Sequence, residues 1–334
     1  MAKAKTASKG VENFQQWAHA LVTTRDGSKV ISVGAMSSHS DQRVCVWQAP
    51  EGTLLASQKL GTGAVSLRAM ALSPDERCVA AGTKKLSLLS PEDLSVLQTI
   101  EAHPKGEITG VSFSPSGARV ATVSDGRVEK ADNSVAVFDV ATGEELKRFK
   151  LVPGGAYVCF GADDETLYTL HRHPLVVRRF DLASGEVVAV EHTTTSSCAK
   201  LYVSPAGPTL LQPQCIEHPP SKPKGKPTFE RSLRVTHLDP SALVERSSVV
   251  VQDYWDDIGA DFALSPDATR IAMNRGKLQG KEGVFDLVIV TIATGEVRVL
   301  AKLPVECSGV FWSKSGAQVY AIDPEKGVLV AFDA

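Results

Sequence analysis

Between residues 107 and 150 the apolar positions fall into four short runs separated by polar turns, and no run keeps a helical period. Residues 107–113 alternate polar and apolar, with Ile108, Val111 and Phe113 as strand formers. Ser114-Pro115-Ser116-Gly117 is a turn: proline presets φ at its second position and glycine closes it. Residues 118–123 are mostly apolar and suit a buried strand, and the polar stretch 124–133, with Asp125-Gly126, is a loop. Residues 134–140 alternate again, Ala141-Thr142-Gly143-Glu144 is another turn, and 145–150 make a more polar fourth strand. Charge on that strand suits an outer edge, where it discourages pairing with other chains. One such sheet leaves both faces thinly covered, so it must stack on copies of itself.

The copies are present. The turn between the first and second strands recurs as Arg25-Asp26-Gly27, Pro74-Asp75-Glu76, Asp163-Asp164-Glu165, Pro205-Ala206-Gly207, Pro266-Asp267-Ala268 and Lys314-Ser315-Gly316. The spacing is roughly 41 to 61 residues, the range of propeller repeats. The turn between the third and fourth strands recurs once less often, the last being Thr294-Gly295-Glu296. The expected fold is all-β: a seven-bladed β-propeller of four-stranded antiparallel blades, with units near 18–60, 65–100, 107–150, 156–190, 198–251, 259–303 and 307–334. The last unit stops after its third strand. Part of residues 4–15 is expected to supply the fourth, pairing with residues 327–332 and closing the ring.

These units resemble the WD-repeat family of seven-bladed propellers. Residues 40–47, from Ser40 and Asp41 to Trp47, look like the family's Asp-to-Trp strand segment. Residues 131–139 match it with Phe138 in place of Trp, and Glu101-Ala102-His103 sits where the family often has Gly-His. No unit carries the full set. The resemblance implies a His–Ser–Asp network that stiffens a blade, available in the third unit through His103, Ser124 and Asp132.

Length allows one large repeat domain or two ordinary ones, and the repeats favour one, over 11–334, after a mobile tail at 1–10. The tail is basic and polar and leads into no apolar run, so it does not read as a secretory signal. No run approaches a membrane span. A net charge of −2 gives no overall case for nucleic acid or an anionic membrane. Six cysteines show no paired spacing, which suits a reducing cytoplasm.

In a four-stranded blade the loops joining second to third strands share one face with the links between blades. The long insertions, 36–42, 124–133, 213–231 and 274–283, are all of that kind, and the opposite face carries tight turns. Long irregular loops cost ordering entropy and usually serve function or are disordered. Candidate residues lie on the elaborated face. The link Asp253-Tyr254-Trp255-Asp256-Asp257 puts two aromatics among acids, either as an anchor for a partner or packed on neighbouring blades. The same acids with Asp261 could take a divalent cation, though without the alternation of a known calcium loop. Lys222, Lys224, Lys226 and Arg231 in the fifth unit face Arg275, Lys277 and Lys281 in the sixth, and with Arg172 form a basic arc suited to an acidic protein segment. The competing reading is a solvated Pro/Lys-rich loop. His171 and His173 with His192 and Cys198, or Cys215 with His218, are half-motifs for zinc without its tight pairs.

No nucleophile elbow, phosphate-cradling glycine loop or His-Glu-x-x-His stretch is present. The reading is therefore a cytoplasmic, non-catalytic scaffold that binds another protein through the loop-rich face, with no cofactor and no metal. The alternative is a metal-dependent, lactonase-like propeller hydrolase with its acids at 253–261, since fold alone does not exclude catalysis.

Overall fold

Alternation along each strand sends successive side chains to opposite faces, and stacking of blades makes both faces apolar. Val79–Gly82 is buried at every position for this reason. The computed structural model describes residues 17–35, 42–49, 52–60, 69–124, 133–151, 155–172, 174–192, 199–219, 228–252, 262–279, 282–303, 309–323 and 328–334. They form seven antiparallel sheets arranged in a ring. Blade 1 runs Trp17–Thr23, Lys29–Ala35, Gln42–Gln48 and Thr53–Lys59. Blade 2 is Ala69–Leu72, Val79–Gly82, Leu86–Leu89 and Val96–Ile100. Blade 3 is Ile108–Phe113, Arg119–Ser124, Ser134–Asp139 and Glu145–Lys150, and blade 4 is Tyr157–Phe160, Thr166–Arg172, Leu175–Asp181 and Val187–His192. Blade 5 is Lys200–Ser204, Gly207–His218, Thr228–Leu238 and Glu245–Gln252. Blade 6 is Phe262–Leu264, Arg270–Gln279, Glu282–Thr291 and Val297–Leu303. Blade 7 has three strands among the described residues, Val310–Trp312, Gln318–Asp323 and Val328–Asp333. The segment expected to complete it, 4–15, lies outside the described residues, as does the tail 1–10.

One apolar cluster fills each space between neighbouring blades. Ala121, Val123 and Val135 of blade 3 meet Val158, Leu167 and Phe180 of blade 4. Val120 and Phe138, on the other face of blade 3, meet Leu86 and Leu88 of blade 2. Leu21, Val30 and Trp47 of blade 1 pack with Tyr320, Ile322 and Leu329 of blade 7, which closes the ring through side chains.

The turns from first to second strands share one chemistry. The hydroxyl of Thr24, Ser73, Ser114, Ser265 or Ser313 accepts the backbone N–H five residues on, at 2.9–3.2 Å. These turns also lock blades together. Lys314 N donates to Thr23 Oγ1 at 2.9 Å, Lys314 Nζ pairs with Glu76 at 3.1 Å, and Arg25 N donates to Glu76 Oε1 at 2.7 Å. Blades 7, 1 and 2 meet at that point.

The expected network in blade 3 is present with different members. His103 is buried, and its Nε2 bonds Thr122 Oγ1 at 2.9 Å while its Nδ1 bonds Ser134 Oγ at 3.1 Å. Ser124 joins one step removed, accepting Ser134 N at 3.3 Å, and Asp132 lies outside the described residues. Arg148 completes it, donating to Ser134 Oγ at 2.7 Å and to Ala102 O at 2.7 Å. In blade 1 another fragment survives: Trp47 Nε1 donates to Ser32 Oγ at 2.9 Å.

Candidate functional site

Blades 5 and 6 differ from the rest in their central hairpins. Their second and third strands have 12 and 11, and 10 and 10 residues. In the other five blades the same strands have 4 to 7. The stretches 213–231 and 274–283, expected as irregular loops, are thus largely paired ribbon. Pro213 pairs with Leu233 and His218 with Thr228 in one, and Arg275 pairs with Asp286 and Gln279 with Glu282 in the other. At about 3.3 Å per residue, four extra residues carry each arm roughly 13 Å further. Both arms rise from the face that holds the links between blades.

Three cations from blades 4, 5 and 6 stand at or below the arms, and each has a local partner. Arg172 ends the second strand of blade 4, lies over the Tyr157 ring at 4.9 Å and donates to the Tyr157 hydroxyl. Its Nε is buried with no hydrogen-bond partner among the described residues. Lys200 starts the first strand of blade 5; its Nζ donates to Phe262 O at 3.0 Å and sits 4.7 Å from the Phe262 ring centre. Tyr202 OH donates to the same carbonyl at 3.3 Å. Arg275 pairs with Asp286 at 3.7 Å, and Asp286 stands opposite Lys302 on the next strand. A cation resting on an aromatic face keeps its charge while losing side-chain freedom, which suits a preformed recognition point. Sequence reasoning missed Lys200. Its only signal was a lysine at the head of an inner strand.

Of the other expected residues, Lys277 is placed through its backbone, paired with Val284 on the blade 6 arm. Lys222, Lys224 and Lys226, and the whole link Asp253, Tyr254, Trp255, Asp256 and Asp257, lie outside the described residues. The half-motifs for zinc are described only in part. His171 is buried and bonded through Nδ1 to Pro174 O at 2.8 Å, while His218 is exposed on the blade 5 arm. His192 is held below its ordinary pKa by burial, against the opposing pull of Glu245. His173 and Cys198 lie outside the described residues, among which no group of three or more His, Cys, Asp or Glu could hold a metal. Burial pushes the Cys78 thiol up to about 11 and the Cys159 thiol to about 12, so neither is a ready nucleophile.

Residues 94–139, which span the end of blade 2 and most of blade 3, match the WD40 family, described as WD domain, G-beta repeat. No curated protein matches the chain. Among solved structures, hydrazine synthase of Kuenenia stuttgartiensis aligns with a TM-score of 0.65 at 15% identity, covering 100% of this chain and 99% of that one. The β-propeller domain of Myceliophteria thermophila Cps50 (Swd1) aligns with a TM-score of 0.65 at 12% identity, covering 98% and 99%. At these identities the likeness is one of fold. One of the two is named as a synthase, so the fold does not choose between catalysis and binding.

Proposed function

We propose, on the premise that this chain is a WD-repeat β-propeller, that it is a non-catalytic cytoplasmic scaffold holding a partner protein between the arms of blades 5 and 6. The observation that carries the reading is the pair of adjacent hairpins, extended on one face and, among the described residues, on two blades. A stiff ring fixes their spacing, so a partner meets a preformed surface and little ordering entropy is lost on docking. Arg172 and Arg275, with Lys222, Lys224, Lys226 and Lys277 in the same arms and link region of the sequence, favour an acidic segment in that partner. Tyr254 and Trp255 are the aromatic anchors of the reading.

The test is affinity capture from the native cell with two baits. One is the full chain; the other has residues 214–230 and 276–284 each replaced by a two-residue turn. A stoichiometric protein held by the full chain, released by added salt and lost from the trimmed bait at unchanged melting temperature, is the expected result. The same set of proteins on both baits overturns the reading.

A further inference from the structure

A free sheet edge can pair with any extended chain, and a β-bulge guards it by kinking and twisting the strand. In blades 1, 2, 3, 5 and 6 the pairing of third with fourth strand slips by one residue, at Leu55, Leu97, Leu146, Arg246 and Leu300. Blade 4 has no slip. Its third and fourth strands pair without a break from Leu175–His192 to Phe180–Val187. The preceding turn is not the cause: Asp181 N donates to Glu186 O at 2.9 Å, as Asp139 N donates to Glu144 O at 2.9 Å in blade 3. The difference lies in the strand, which keeps a regular edge.

That strand also lacks the other common guard, a charge within the edge. Val187-Val188-Ala189-Val190 carries none, and its valines are β-branched strand formers. The fourth strands of blades 3, 5 and 6 hold Lys147 and Arg148, Arg246, and Arg298. Val96–Ile100 of blade 2 is uncharged, but its bulge breaks the edge. The blade 4 strand is the last of its sheet, with no neighbour on its outer side among the described residues. Val187 is 46% exposed, while Val188 and Val190 pack half-buried on the cluster shared with blade 5. Glu186 and Glu191 bracket the run. Both are exposed, and neither carboxylate has an ion pair or hydrogen bond among the described residues. On the outer strands of blades 3 and 5, Glu145 and Glu245 are instead paired with Arg148 and Arg234. Lys147 comes close to Gly185 but rests 5.8 Å from the Phe149 ring centre.

We propose that this edge receives an extended segment of another protein, added to blade 4 as a further strand. Backbone pairing supplies the affinity, and the side chains along the edge select the sequence. The run Val187–Val190 calls for apolar or β-branched residues, and Glu186 and Glu191 call for a basic residue at each end. The segment thus has Lys or Arg at both ends of a short apolar run, in either chain direction. A second copy of this chain fits poorly. Antiparallel pairing that sets Val187 against Val190 of the copy also sets Glu186 against Glu191 at both ends, and like charges directly opposite repel. The stiff ring presents the edge ready-made, so the ordering cost falls on the segment alone. The site lies on the rim and does not depend on what the arms hold.

Fluorescence polarisation with the full chain tests it, using three labelled peptides. One reads Lys-Val-Thr-Val-Thr-Arg, one carries Glu at both ends instead, and one is the basic peptide with Pro in place of its second Val. Saturable binding of the basic peptide below about 1 mM, with none of the proline peptide, supports strand addition. A preference exchanged by at least about tenfold towards the acidic peptide in Glu186→Lys with Glu191→Lys places it on this edge. No saturation, equal binding of the proline peptide, or an unchanged preference in the double variant overturns the proposal. If the double variant does not fold, hydrogen exchange of the unsubstituted protein decides. Slowing at Val187–Glu191 on adding the basic peptide supports the site, and slowing elsewhere or nowhere overturns it. A dimer of the chain alone in sedimentation velocity, dissociated by the basic peptide, would make a second copy the occupant and overturn it as well.

Discussion

Single residues at matching positions in different blades give opposite expectations. Thr122 and Thr169 occupy the same register place in blades 3 and 4, facing Ala136 and Arg178. Thr122 Oγ1 bonds His103, whereas Thr169 Oγ1 is buried with no partner among the described residues. Thr122→Val is expected to destabilise by about 1–3 kcal/mol, because it strips a buried imidazole of a partner. Thr169→Val is expected to be neutral or stabilising by up to about 1 kcal/mol, because an unbonded hydroxyl becomes a methyl. Urea denaturation of both variants checks the sign. A second contrast lies in the turns. Ala268 and Leu243 both have positive φ, 57° and 59°, where most equivalent turns place glycine. Ala268→Gly is expected to stabilise by roughly 0.5–1 kcal/mol, the relieved strain outweighing the added freedom of the unfolded chain. Leu243 is fully buried against blade 4, so Leu243→Gly is expected to destabilise by roughly 2–3 kcal/mol despite the relief. At this scale sequence named His103 correctly and its partner only in part. Thr122 and Ser124 share one face of a strand, and which is level with the histidine depends on how far the link climbs. No local pattern encodes that height.

Elements were legible where they are buried and obscure where they leave the ring. Residues 134–139 read as a strand because both faces meet a neighbouring blade. The arms read as loops because their outer residues pass above the apolar interfaces, so alternation fades. Pro213, Gly276 and the lysines then look like loop composition, while backbone pairing continues out to His218–Thr228 and Gln279–Glu282. Pairing across a hairpin is set by a partner strand and leaves little mark on hydropathy. The turns carry a pH prediction. Asp26 is lowered from the ordinary 3.8 to about 2, first by the Thr24 hydroxyl and then by Ser28. Asp75 and Asp267 are lowered by the hydroxyls of Ser73 and Ser265, and Asp139, Asp181 and Asp239 by backbone N–H groups of their own turns. A carboxylate with a depressed folded pKa contributes stability above its unfolded value and loses it as pH falls through the folded value. The melting temperature is therefore expected to fall as pH drops from 3.8 towards about 2, the span set by Asp26. Asp26→Asn is expected to flatten the acid limb. A melting temperature that is level through that range sinks the turn account.

Across the whole molecule, stability is a property of closure. Each apolar cluster belongs to two blades, so no blade keeps its core when its neighbour leaves. The junction of blades 7 and 1 is where chain order gives no help, and two devices compete to hold it. One is made of side chains: the cluster of Leu21 and Trp47 with Tyr320 and Leu329, and the meeting of Thr23, Lys314, Arg25 and Glu76. The other is the expected fourth strand from residues 4–15 along Val328–Asp333, whose outer side has no neighbour among the described residues. The two predict different responses. Glu76→Gln removes an ion pair at the surface and is expected to cost no more than about 1 kcal/mol. Deleting residues 2–14 would remove a row of backbone hydrogen bonds along a whole strand and is expected to cost several times as much, roughly 0.5–1.5 kcal/mol for each bond lost. The loss should appear as one earlier transition of the entire ring, since opening one junction exposes its cluster on both sides. An unchanged transition after the deletion would mean that the side chains close the ring unaided. A separate early transition confined to blade 7 would mean that the blades are less coupled than their shared cores imply.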